Sequence, residues 1–145
     1  MSVDFPQEII TAAIHTGDVF LQNFEGIYHP KFFIVTGITR NRLTVCSIFI
    51  NSRIHPSLYN KPILLNAQVP LKKSDNAFLA HDSFANCSHT LIMEMSAIAS
   101  GIANGTCKVI GRLNENDLAT VRRTIVDTGL LSGEEESLFF WDIVR

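Results

Sequence analysis

Apolar residues recur along this chain in two rhythms, one helical and one extended, and the switches between them lay out the elements. Phe5, Ile9, Ile10, Ala13 and Ile14 fall at helical spacing. With Asp4 placed to cap and Pro6 tolerable in a first turn, a short amphipathic helix opens the protein, and Gly17 ends it. Three runs rich in β-branched and aromatic residues follow, Asp18 to Phe24, Lys31 to Ile38 and Leu43 to Ile50, separated by breaks at Glu25 to Pro30 and Thr39 to Arg42. That spacing predicts an antiparallel meander. The third run, LTVCSIFI, is apolar at nearly every position, as a strand covered on both faces is, and is therefore expected at the centre of its sheet.

Asn51 to Asn60 contains Pro56 and several turn formers and predicts a loop or a short helix. Pro62 to Val69 and Phe78 to Met95 return to extended character, with the polar stretch LKKSDN between them. Met95 to Asn104 is rich in Ala and Ser, carries Ile98 and Ile102 four apart, and runs into Gly105, which predicts a short helix with a glycine stop. Cys107 to Leu113 reads as a last strand. Asn114 is a capping residue followed by Leu118, Val121 and Ile125 on one face, so a helix starts there and stops at Gly129. Ser132 with Glu135 matches a capping box and opens a second helix through Leu138, Trp141 and Val144. The fold class is thus α+β and mainly antiparallel, a small twisted β-barrel or sheet flanked by helices at both ends. No repeat or interdomain linker divides residues 1–145, so one domain is expected.

Composition narrows the partners. An apolar content of 46%, Phe at 10 positions and only 18% charged residues describe a chain that buries much of its surface. A formal charge of -2 provides no broad electrostatic footprint for duplex DNA, so any nucleic-acid contact must be local. Cys46, Cys87 and Cys107 form no close pair, which fits a reducing compartment, and the cytoplasm is expected. The N-terminus lacks a secretory pattern, and no apolar run reaches the roughly 18 residues of a membrane span.

Three chemistries compete for the polar residues. His81, Cys87, His89 and Cys107 are metal-ligand types, and Cys87 and His89 would share one face of a strand, but no CxxC or HExxH unit supports them; buried Cys and surface His is the simpler reading, with no metal or cofactor expected. Ser83 or Cys87 as a nucleophile served by His81 or His89, with Asp82 orienting, lacks the strained turn or helix start that usually activates such a group. The third is metal-free RNA cleavage, which needs a base for the 2′-hydroxyl, an acid for the leaving oxygen and a cation for the phosphorane charge. His29, Arg53 and His55, with Arg40 and Arg42 in the next turn, offer those groups provided that they converge.

The order of motifs carries a family resemblance. Gly17-Asp18 opens the first strand, and HPKFFIVTGI, CSIFINS, DSFANCSHTLI and VIGRLNENDLATVRRTI follow. Over Gly17 to Leu131 the chain resembles the PemK/MazF-type toxins. The resemblance implies an SH3-like β-barrel with appended helices, acting as a homodimeric, metal-independent endoribonuclease on single-stranded RNA and neutralised by an antitoxin protein. It departs from the family where His29 replaces the Arg before Pro30, where Asn51-Ser52 replaces a catalytic Thr or Ser, and where Asn86 and Ser88 flank Cys87 in place of the Arg and Asp that some members carry. The expected catalytic set is therefore His29, Ser52 and Arg53, with Arg40, Asn51, His55, Asn86 and Ser88 as substrate contacts. The alternative is a barrel without catalysis that binds a protein tail or a single strand through the same groove.

Overall fold

The computed structural model describes residues 4–143, with side chains from residue 7 onward. Its elements in chain order are α1 (Asp4–Ala13), β1 (Asp18–Gln22), β2 (Lys31–Ile38), β3 (Thr44–Asn51), α2 (Pro62–Asn66), β4 (Gln68–Leu71), β5 (Ser83–Glu94), α3 (Met95–Asn104), β6 (Cys107–Arg112), α4 (Glu115–Asp127) and α5 (Gly133–Phe139). All strands join one antiparallel sheet in the order β4-β5-β3-β2-β1-β6. The meander of β1, β2 and β3 is as expected, and β3 is central, held between β2 and β5. Its apolar run is explained by alternation: Cys46, Ile48 and Ile50 enter one core while Val45 enters the other.

Each face of the sheet carries its own core. On one, Ile34, Ile48, Ala85 and Cys87 pack under Val121 and Ile125 of α4 and under Phe139 and Phe140. On the other, Phe20, Phe33, Val35 and Val45 pack under Met95 and Ile98 of α3 and under Ile14 beyond α1. Gln7 ties α1 to α3 by donating to the Ser100 hydroxyl. Arg42, with φ 59°, donates to the carbonyls of Thr11 and Ile14 at 3.0 and 2.5 Å, closing the end of α1. The proposed cap at Asp4 and the apolar contributions of Phe5 and Val144 lie outside the described side chains.

The helix signals resolve as written in the chain. Gly105 stops α3 at φ 85°, Asn114 accepts from the Asp117 amide at 2.9 Å, and Ser132 and Glu135 form the reciprocal capping box of α5. Several expectations need correction. Pro62–Asn66 is helical, not extended, with Pro62 in its first turn. Residues 78–82 are irregular, with Leu79 buried and Phe78 half-buried through tertiary packing rather than strand pairing. The first strand ends at Gln22, and α5 stops at Phe139.

The sheet is not closed: β4 and β6 are its two edges. Irregular register between residues 19 and 20, 35 and 37, and 48 and 50 bends it. The connection after β4 spans from one edge toward the other. Asn76, buried in it, accepts from the Asn114 backbone amide at 3.0 Å and donates to Asp117 at 2.8 Å, while Phe78 lies against Gly111 of β6 and the ring of Phe32.

The C-terminal segment is tied to the sheet by Arg122, whose Nε donates to the Thr36 carbonyl at 2.8 Å and whose fork grips Asp142 at 2.9 and 2.6 Å. That hydrogen bonding holds the Asp142 carboxyl below its ordinary 3.8. A lowered folded-state pKa stabilises above the ordinary value, and the contribution is lost as pH falls through the lowered one. Thermal melts of wild type and Asp142→Asn from pH 7 to pH 2 are expected to differ most at neutral pH and to draw together only as the pH falls below the ordinary 3.8 and through the lowered value; a gap independent of pH would refute the coupling. No described helix is long and apolar enough to cross a membrane.

Candidate functional site

Strand direction decides which of the sequence-selected residues meet. The end of β1, the start of β2, the end of β3 and the start of β5 lie at one end of the sheet, since Gln22 pairs with Lys31, Phe32 with Ile50, and Asn51 with Phe84. His29 precedes Lys31 by two residues, and Ser52 and Arg53 follow Asn51 directly, so the topology delivers all three to that end. Each is exposed, and among the described residues no hydrogen bond joins them. The His29 ring sits edge-on to Tyr28 with centroids 5.1 Å apart.

Directly paired residues share a sheet face, so Lys31, Asn51 and Phe84 stand in one row, with Pro70 of β4 beyond them. In the next row Phe49 pairs with Phe33, and Asn86 with Gln68. The face that is apolar beneath α3 thus becomes polar toward β4. Gln68 donates to the Asn86 side-chain oxygen at 2.8 Å, and the Ser88 hydroxyl donates to the same oxygen at 2.5 Å. This loads the carbonyl of Asn86 with donors and leaves its Nδ2 without a partner among the described residues.

Lys31 is the first residue of β2, whose apolar pattern does not single it out in the sequence. Its ammonium donates to Asn51 Oδ1 and lies 5.3 Å from the centre of the Phe49 ring, which Phe24 in turn meets edge-on. Burial lowers its pKa, because desolvation disfavours the charged form. The available signal was a lysine directly after Pro30, opening a strand whose neighbour ends in an asparagine.

The remaining candidates are placed elsewhere or already engaged. Arg40 lies in the hairpin at the opposite end of the sheet, its guanidinium 4.6 Å from the Trp141 ring centre. His55 is at the right end, but its Nδ1 accepts from the Ser57 amide at 3.1 Å and caps a short 3-10 turn. Arg42 serves α1. The irregular register after Ala85 separates Cys87, buried beneath α4, from exposed His89, so the two do not share one environment. Asp82 accepts from the Lys73 amide at 2.9 Å instead of orienting His81. His81 Nδ1 lies 3.3 Å from the Ser83 hydroxyl, which is buried and donates to the His81 carbonyl.

The thiols are not poised for attack: burial raises Cys46 and Cys87 to about 12 and Cys107 to about 11. Among the described residues no three His, Cys, Asp or Glu side chains gather as a metal site would require. Fold and site together define an α+β domain that presents loop-borne His, Ser and Arg beside a half-buried lysine and two amide side chains. The chain matches no protein-family model and no curated protein.

Proposed function

We propose that the protein is a divergent PemK/MazF-like toxin, a metal-independent endoribonuclease that cuts single-stranded RNA, acting as a cytoplasmic homodimer beside an antitoxin protein. The observation that carries this reading is the delivery of His29, Ser52 and Arg53 to one end of the sheet, on segments flanking the paired Lys31 and Asn51. The motif order of the sequence supports it, and the bent register with the connection between the β4 and β6 edges supports an SH3-like barrel as the parent architecture. Exposed Tyr28, Tyr59 and Ile63 give a second copy or an antitoxin apolar surface to cover.

In this reading His29 takes the 2′-hydroxyl proton, the freed oxygen attacks the adjacent phosphorus, and the bond to the 5′-oxygen breaks as a water molecule donates a proton to that oxygen. Arg53 stabilises the charge on the phosphorane, and Ser52 orients the scissile group by hydrogen bonding. Purified protein is expected to fragment a long single-stranded RNA in the presence of a chelator, and induced expression is expected to arrest bacterial growth. His29→Ala should reduce cleavage by roughly 100-fold or more, the usual range for a positioned acid or base, and Arg53→Ala should release the growth arrest.

One observation favours a second reading. His29 meets Tyr28 and, among the described residues, no carboxylate or carbonyl that would orient its ring. A barrel that binds a protein tail or a single strand without cutting would need no such orientation. Intact RNA after prolonged incubation with folded protein, together with normal growth, would select that binding module and retire the nuclease.

A further inference from the structure

A half-buried ammonium with no counter-ion requires an explanation. Lys31 has lost part of its hydration, yet among the described residues no carboxylate lies within ion-pair reach of it. Its one hydrogen-bond partner among the described residues is the neutral Asn51 side chain. Because lysine can only donate, the oxygen of the Asn51 amide must face it, and the Asn51 Nδ2 is turned the other way with its hydrogens unused among the described residues. The ring of Phe49 steadies the cation from one side without neutralising it. One cation and one oriented amide donor on adjacent strands are groups that an anion would engage, and Asn86, whose Nδ2 also has no partner among the described residues, adds a further donor on the same face.

We infer that Lys31 and Asn51 together hold a backbone phosphate of the bound RNA strand, with Lys31 neutralising its charge and Asn51 Nδ2 donating to one of its oxygens. The assignment rests on the ribonuclease reading and adds the anchor that the loop residues lack. A phosphodiester suits the pair because it is a single anion with two free oxygens, one for each donor. Phe84, in the same row, gives an adjoining base a ring to stack on.

The test uses the full chain and a fluorescent single-stranded RNA whose 2′-hydroxyls are methylated, so that binding is read without cleavage. Lys31→Met keeps the apolar stem against Phe49 and removes the charge; Lys31→Arg keeps the charge. Lys31→Met is expected to weaken binding by about 10-fold or more and to lower the slope of log affinity against log salt by roughly 0.7. Lys31→Arg is expected to retain that slope, and Asn51→Ala to weaken binding with the slope unchanged. Melting curves of each variant establish that it is folded. Unchanged affinity and slope in Lys31→Met, while wild type cleaves unmodified RNA, would overturn the anchor and leave the nuclease standing. Binding by wild type without cleavage would remove the nuclease, and Lys31→Met would still decide the anchor. No binding by wild type would overturn both.

Discussion

Gly37→Ala is expected to lower the stability of the protein by roughly 3 kcal/mol, near the upper end of what overpacking a core costs. A Cβ on residue 37 would stand 2.5 Å from the Phe139 carbonyl oxygen and 2.9 Å from the Phe139 Cβ. The neighbour is a backbone group, and it cannot step aside. Phe139 and Phe140 are buried, Trp141 donates to the Ile38 carbonyl at 2.9 Å, and Arg122 is fixed on Thr36. The added methyl therefore has to lift the last helical turn of α5 or distort the bulge of β2. Urea unfolding of wild type and variant would show the loss as a lower midpoint; an unchanged midpoint would mean that this contact is not present in the native state.

Asn76→Ala should cost about 3 kcal/mol for a different reason, since leaving buried polar groups unpaired costs roughly 1–3 kcal/mol each. The Asn76 side chain accepts from the Asn114 amide and donates to Asp117 and to the Lys72 carbonyl. Alanine removes all of these at once and strands the Asn114 amide at the start of α4. Hydrogen exchange should report faster exchange at residues 113 and 114 and in the first turn of α4, with α3 unaffected. A variant that lost stability uniformly, with no local signature, would show that Asn76 does not organise this junction.

The parts of the fold that were legible in the sequence are those fixed by neighbours along the chain. Asn114, Ser132 and Gly105 act within a few residues of themselves, so their capping roles can be read directly. β3 was legible as central because burial on both faces leaves a continuous apolar run. Pro62–Asn66 was not, because PILLN has too few residues to show a helical period and the apolar content of a strand. Leu79 looked like part of a strand because it is buried, yet pairing and packing leave the same mark on a sequence.

The site divides in the same way. His29, Ser52 and Arg53 stand out in the sequence because they lie in turns, where polar residues announce themselves. Lys31 does not stand out in the sequence because its partner, Asn51, is twenty residues away in the chain and adjacent only after β2 and β3 pair. Arg40 was grouped with the others because a list of cations does not say at which end of a sheet each lies. His55 was grouped with them because a ring that caps a turn and a ring that binds a substrate look alike in a string of letters.

β1 hydrogen-bonds to β6, and Asp18 is paired with Arg112, 94 positions further along the chain. A ribosome making this protein releases β1 well before β6, with four other strands made between them. Until then Phe20 and Val19 have no finished sheet to join. The sheet of the nascent polypeptide thus stays incomplete until β6, the last of its strands in chain order, has been translated.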